Sequence, residues 1–350
     1  MPTRAVICGY YGQGNGGDEA LLAVLLDMLP PSWCPVVISG DRSQTEKLHQ
    51  VATIDRANWG QMAQGLGGAD YFIWGGGSLM QDVTSWRSPL YYGGLMRWAQ
   101  VQGLTTIAWA QGIGPFRARW MGAWTRHCLH KCQLISVRDD RSAQLLQNWG
   151  FAPVVAPDPV WALTSAVPAG LWDLPAPRVA VCLRAHPLLT PRRLEVLSLA
   201  LQSFQQATQT YILLVPFQPK QDLPIAEILA SRLPPPVRCI WRETNPRLLK
   251  GLFRGVEMTI AMRLHGVIMA VSEGCRCFAL SYDPKVRAVM HALDLEGCDL
   301  ANLPDQPAQI TKDWLDTYAN GNALDEIQIS ALIDRAKIHQ ELLFSLDAGQ

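Results

Sequence analysis

Short apolar runs alternate with amphipathic stretches along the first half of the chain. Arg4–Gly9, Pro35–Ser39, Tyr71–Trp74, Thr105–Trp109 and Leu134–Val137 have the length and content of strands. Asp18–Leu29, Trp59–Leu66, Pro89–Gln102, Arg119–Lys131 and Arg141–Trp149 carry apolar positions at helical spacing between them. This alternation predicts β-α units and a parallel sheet. Asp158–Pro177 then turns rich in proline and alanine without a period, as a connection between domains does. After it the same grammar restarts, with strands expected at Arg178–Leu183, Tyr211–Val215, Val237–Trp241, Glu257–Ala261 and Cys277–Ser281. Helices are expected at Pro191–Thr208, Ile225–Leu233, Pro246–Arg254, Leu264–Glu273 and Lys285–Leu293. The predicted fold class is α/β, with two Rossmann-like parallel-sheet domains facing a cleft. Residues 1–165 form the first domain, 178–322 the second, and 323–350 a C-terminal helix with Ile329, Leu332, Ile333, Ala336, Leu343 and Leu346 on one face.

Composition narrows what such a fold can do. With 49% hydrophobic and 17% charged residues over 350 positions, the chain is core-rich and long enough for two domains. Thirty Lys and Arg balance thirty Asp and Glu, so no overall field draws it to nucleic acid. No stretch reaches the ~18 consecutive apolar residues that span a bilayer. Met1–Gly17 is too polar and glycine-rich for a signal peptide. A cytoplasmic protein is expected. The nine cysteines form no CxxC pair, which argues for packing rather than metal ligation. No metal site is expected.

Open parallel sheets bind ligands at the carboxyl ends of their strands, so the loops there are the place to look for chemistry. Tyr10–Gly17 reads YYGQGNGG, and Gly12, Gly14 and Gly17 match GxGxxG between a strand and a helix, with Asp41 after the next strand. Asp18 and Glu19 at the helix start repel a pyrophosphate, which speaks against a dinucleotide. Asn15, Asp18 and Glu19 suit sugar hydroxyls, with simple helix capping as the competing reading. Trp74–Asp82 reads WGGGSLMQD, where Gly76 and Gly77 admit a ligand to the backbone and Ser78, Gln81 and Asp82 offer polar contacts. QGIGP at Gln111–Pro115 follows the next strand.

Positive groups gather in the second half. AMRLHG at Ala261–Gly266 puts Arg263 and His265 where a strand meets a helix N-terminus, a suitable site for a phosphorylated carboxylic acid. SYDPKV adds Lys285 at the next strand end, and SVRDD adds Arg138 from the first half, with a salt bridge to Asp139 or Asp140 as its rival explanation. Arg184 and His186 in CLRAHP, and Gln218 in VPFQP, are weaker candidates for the same pocket. Arg117, Arg119, Arg126, His127, His130 and Lys131 surround a helix carrying Trp120 and Trp124. A solvated amphipathic face is the simpler account of it, and peripheral contact with an anionic membrane the alternative.

Taken together, GYYGQGNGGDEALL, WGGGSLMQD, QGIGP, SVRDD, MRLHGVIMA and YDPKV resemble the polysaccharide pyruvyl transferases, and among them the bacterial CsaB-like branch. The resemblance spans nearly the whole chain and departs from the family pattern at Gly16-Gly17. It implies a fold similar to the GT-B glycosyltransferases and transfer of a pyruvyl group from phosphoenolpyruvate to a sugar of a cell-envelope polysaccharide or its lipid-linked precursor. No separate cofactor is implied. By matching motifs Arg263, His265 and Lys285 would serve donor binding and catalysis and Arg138 would assist; the chemistry also needs a group to orient or deprotonate the acceptor hydroxyl, for which Asp18 is the candidate. A nucleotide-sugar glycosyltransferase and a non-catalytic saccharide-binding protein are the alternatives, the first because two facing domains with glycine loops also suit a diphosphate donor.

Overall fold

The computed structural model describes residues 3–83 and 85–347, so the outermost residues of the expected N- and C-terminal ranges lie outside it. The described residues divide into two compact units: those within 3–13, 18–163 and 332–347 form the first, and 14–17 with 164–331 the second.

The first unit is a seven-stranded parallel sheet ordered β3-β2-β1-β4-β5-β6-β7. Its strands are β1 (Thr3–Cys8), β2 (Trp33–Ser39), β3 (Ala52–Asp55), β4 (Tyr71–Trp74), β5 (Thr105–Gln111), β6 (Leu134–Val137) and β7 (Val154–Val155). The helices between them are α1 (Gly16–Met28), α2 (Arg42–His49), α3 (Trp59–Leu66), α4 (Arg87–Val101), α5 (Arg119–Leu129) and α6 (Asp140–Asn148). β4, YFIW, is buried at all four positions, as a strand covered by helices on both faces must be. The core beneath α3, α4 and α5 includes Phe72, Trp74, Met96 and Leu129.

The second unit is a six-stranded parallel sheet ordered β10-β9-β8-β11-β12-β13. It comprises β8 (Arg178–Cys182), β9 (Tyr211–Leu214), β10 (Arg238–Ile240), β11 (Met258–Ala261), β12 (Arg276–Ser281) and β13 (Gly297–Asp299). Its helices are α7 (Pro191–Thr208), α8 (Pro219–Arg232), α9 (Pro246–Gly251), α10 (Leu264–Ser272), α11 (Pro284–Ala292) and α12 (Pro307–Asn320). α12 packs on α7, with Thr311 Oγ1 donating to Ala200 O at 3.2 Å and the Trp314 and Phe204 rings edge to face.

In each sheet the strand order reverses beside the first strand, between β1 and β4 and between β8 and β11. That switch point opens a crevice at the carboxyl ends. The loops flanking it carry Tyr10–Gln13 and WGGGSLMQD in one unit, CLRAHP and MRLHG in the other.

The expected single C-terminal helix is two, α13 (Glu326–Ala336) and α14 (Ile338–Asp347), broken at Lys337. α14 belongs to the first unit. His339 is buried there, its Nδ1 3.1 Å from Ser136 Oγ and its Nε2 3.1 Å from Pro157 O, while Trp109 Nε1 donates to His339 O. The nine cysteines are free, and burial lifts the thiols of Cys8, Cys128, Cys132 and Cys275 to about 12, away from thiolate chemistry. Among the described residues no helix is long and apolar enough to cross a membrane.

Candidate functional site

Around the crevice of the second unit, residues 14–17 lie against the loops after β9 and β11. The Gly16 N–H donates to Phe217 O at 2.8 Å, and Asn15 Oδ1 accepts from the Gly17 N–H at 3.2 Å, an Asx turn that opens α1. A Cβ on Gly17 would overlap Nδ1 of His265, and one on Gly16 would press within 2.6 Å of Leu249 Cδ2. The imidazole therefore rests on the Gly17 backbone. Gly16-Gly17, a departure from the family pattern in the sequence, is here a requirement of close packing.

Arg263 caps the corner between β11 and α10 from within. Its Nε donates to Asp222 Oδ2 at 2.7 Å, and its Nη2 donates to Asp222 Oδ1 at 2.6 Å and to Gln218 Oε1 at 3.5 Å. Asp222 in turn accepts the Gln218 N–H at 2.9 Å. Both partners are buried, so the pair is a neutral, bidentate brace. The arginine fork expected to receive an anion is thus occupied on its Nε and Nη2 side, with Nη1 outside that pairing. Asp222 was not foreseen, because nothing in KQDLP marks an acid destined for the interior.

A second cluster joins the loops after β8 and β12. Arg184 Nη1 donates to the Tyr282 hydroxyl at 2.8 Å, and its guanidinium stacks 5.1 Å from that ring. His186 also packs on Tyr282, with ring centroids 4.6 Å apart. Burial holds its imidazole below the ordinary range, and Arg184 nearby adds to that against the pull of Asp283. Asp283 accepts the Lys285 N–H at 2.7 Å and so starts α11. Arg184, His186 and Lys285 accordingly stand on one rim, at the ends of β8 and β12.

In the first unit several candidates are committed to the scaffold. Glu19 is buried, its Oε1 accepting the Gly12 N–H at 2.9 Å and its Oε2 lying 3.0 Å from His49 Nε2. That corrects its expected role toward sugar hydroxyls, and the loop amide a dinucleotide would use is taken by a carboxylate. Asp41 caps α2 through the Gln44 N–H. Asp82 accepts the Arg117 and Ala118 N–H groups at 2.6 and 2.9 Å, tying two loops together rather than presenting a free carboxylate. Gln81 Oε1 accepts the Val83 N–H.

Arg138 is bound by a more distant acid, Asp158. Its Nη1 meets Asp158 Oδ2 at 2.5 Å and its Nη2 Ser78 Oγ at 3.1 Å, while Asp139 caps α6. Asp18 stands over the glycine loop: a Cβ on Gly77, whose φ is +134°, would lie 3.6 Å from Asp18 Oδ1. Gly76 packs on Leu21 and Trp109, and Gln111 Nε2 bonds the carbonyls of Gly75 and Trp109 at 2.8 and 2.9 Å. The backbone near Asp18 is thereby fixed from below. The Tyr11 hydroxyl lies buried beneath Gly75 without a hydrogen-bond partner. Among the described residues no group of three or more His, Cys, Asp or Glu side chains is placed to hold a metal.

A sequence model of the family described as "Polysaccharide pyruvyl transferase" matches residues 15–284. No curated protein matches the chain. Among solved structures, the UDP-GlcNAc 2-epimerase of Methanocaldococcus jannaschii superposes with a TM-score of 0.66 at 11% identity, over 99% of this chain and 99% of that one. A putative UDP-N-acetylglucosamine 2-epimerase of Listeria monocytogenes gives 0.64 at 10%, over 96% and 91%. The spinosyn rhamnosyltransferase SpnG gives 0.62 at 14%, over 99% and 100%. At such identities the likeness speaks of fold, and the fold is GT-B-like.

Proposed function

This chain belongs to the polysaccharide pyruvyl transferase family, and from that premise we propose that it moves a pyruvyl group from phosphoenolpyruvate to a sugar of a cell-envelope polysaccharide or its lipid-linked precursor. A cyclic ketal and inorganic phosphate are the products. The acceptor is a saccharide with two hydroxyls in reach of one carbon. We place the protein at the cytoplasmic side of the cell membrane.

Phosphoenolpyruvate carries a carboxylate and a phosphate, and its C2 becomes electrophilic once C3 is protonated. His265 gives that proton to C3, turning the methylene into a methyl group. The first acceptor hydroxyl adds to C2 and loses its proton to Asp18. The C2–O bond to phosphate then breaks, and the second hydroxyl adds to C2. Its proton leaves with phosphate, so the two hydroxyl protons balance the methyl and phosphate protons. The scheme calls on no metal.

Charge for the donor comes from Lys285, Arg184 and His265. Arg263, neutralised by Asp222, is a positioning residue that holds the β11–α10 corner, and Gln218 steadies it. Arg138 holds Ser78 and the glycine loop for the acceptor, alongside Asn15 and the backbone of Gly76 and Gly77.

The observation that carries the reading is the imidazole of His265 seated on Gly17 at the N-terminus of α10. Replacing it by alanine should leave melting unchanged and slow phosphate release ~100-fold to ~10,000-fold, the usual worth of a positioned acid. Wild-type release in His265→Ala removes the residue from the mechanism. A thermal-shift screen separates the donors: phosphoenolpyruvate should raise the melting temperature, whereas a shift only with a nucleotide sugar would indicate a glycosyltransferase.

A further inference from the structure

From Val83 to Arg138 the sequence contains no Asp or Glu, although the chain as a whole is neutral. Seven of its Arg and Lys residues lie in that stretch: Arg87, Arg97, Arg117, Arg119, Arg126, Lys131 and Arg138. Arg138 is committed to Asp158, and Arg97 Nη1 to Gln100 Oε1. Arg87, Arg117, Arg119, Arg126 and Lys131 are exposed.

The fold brings part of this stretch to one edge. α4 and α5 run side by side, with Trp124 Nε1 donating to Pro89 O at 3.1 Å and Cys128 Sγ meeting Gly93 O at 3.6 Å. That pairing puts the start of α4 beside the start of α5. Asp82 binds the Arg117 and Ala118 N–H groups and draws the loop before α5 onto the loop before α4. Val83, Trp86 and Trp120 lie in or just beyond these two loops and are 41%, 57% and 53% exposed. Arg87 lies over the Trp86 ring at 5.6 Å, and Arg117 and Arg119 immediately precede Trp120 in the chain. Neither helix has an acid in its first turn or a side-chain cap, so nothing in those first turns offsets the charge.

Exposed indole rings beside exposed arginines, with the nearby Asp82 buried against the Arg117 and Ala118 N–H groups, complement a surface that is apolar below and anionic above. Indoles and guanidinium stems settle at the boundary of headgroups and acyl chains. We propose that this edge of the first unit docks onto the anionic face of a lipid bilayer. A nucleic acid would meet the same arginines. It would, however, leave the two indoles and Val83 projecting from helix ends instead of lining a groove along which bases could stack. Docking stands on this patch alone. Its value to a lipid-linked acceptor rests on the proposed function, because the patch adjoins the WGGGSLMQD and QGIGP loops.

The test is cosedimentation of the full chain with vesicles of phosphatidylcholine alone and of phosphatidylcholine mixed with phosphatidylglycerol. The protein should pellet with the mixed vesicles only, less so as salt rises. Arg117→Ser with Arg119→Ser should weaken binding about 25-fold, at about fivefold per arginine. Trp86→Ser with Trp120→Ser should reduce it at least tenfold with unchanged melting. Phosphate release with a water-soluble acceptor should be untouched in both, so that failure to dock and failure to transfer are read separately. Equal pelleting with both vesicles, none with either, full binding by the variants, or displacement by single-stranded RNA would each overturn the proposal.

Discussion

Gly17 and His265 occupy one van der Waals space, and the consequence is testable with a single methyl group. Gly17→Ala places a Cβ where Nδ1 of His265 sits, so the ring must move. Overpacking of this kind costs about 1–3 kcal/mol, which leaves the protein folded. Misplacing a reacting group by about an ångström costs ~100-fold in rate. Phosphate release by Gly17→Ala should therefore fall ~100-fold, and release at the wild-type rate would show that the contact does not set the position of the acid. Sequence revealed His265, Lys285 and the glycines, because each stands at the end of an apolar run. It did not reveal which of them were engaged. Glu19, Asp82 and Arg263 have the same letters whether they await a ligand or brace a backbone. Only the fold shows Gly12, the Arg117 loop and Asp222 already bound to them. Asp222 itself is four residues after Gln218, in a polar stretch before the helix expected from Ile225.

Secondary elements were legible in proportion to their burial. β4 and β6, α3 and α7 match the expected bounds, for their apolar positions repeat without interruption. α2, RSQTEKLH, buries only Thr45 and carries no apolar period, so it was invisible. α8 begins at Pro219 and not at Ile225, since Pro219 and Pro224 each look like a first helical position and the earlier one holds it. Of the C-terminal stripe only Ala336 and Leu343 are buried, and neither the break at Lys337 nor the burial of His339 was legible. His339 has its own signature. Pro157 O only accepts, so Nε2 bears the proton and Nδ1 accepts from Ser136, whose oxygen takes the Ala110 N–H. Burial holds this imidazole down at about 4, below its ordinary 6.5. Between those values the unfolded chain takes up a proton that the native one refuses, so stability is lost as pH falls from 6.5 toward 4. One proton corresponds to about 1.4 kcal/mol per pH unit. Denaturant melts of His339→Asn should show a shallower slope across that window by about this amount. An unchanged slope would mean that His339 titrates alike in both states.

At the scale of the molecule, two parallel sheets with the same strand order each offer a crevice at the switch point. One crevice has Asp18 over a glycine loop, the other has His265, Arg184 and Lys285 on its loops. Under the proposed function that division suits a hydroxylated acceptor and an anionic donor. The repeated β-α grammar and the Pro-Ala connection made the two-domain plan readable from sequence. The return of α14 to the first unit could not be read, because a packed stripe does not name its partner. Transfer from phosphoenolpyruvate is the claim on which the rest depends, and product analysis tests it most directly. The wild-type protein should be incubated with phosphoenolpyruvate labelled with carbon-13 at C2 and with envelope saccharide, then followed by NMR together with phosphate release. The account predicts that the label moves to a quaternary ketal carbon on the saccharide, with one phosphate freed per ketal. Labelled phosphoenolpyruvate left intact, while a nucleotide sugar yields a glycoside on the same acceptor, would contradict it.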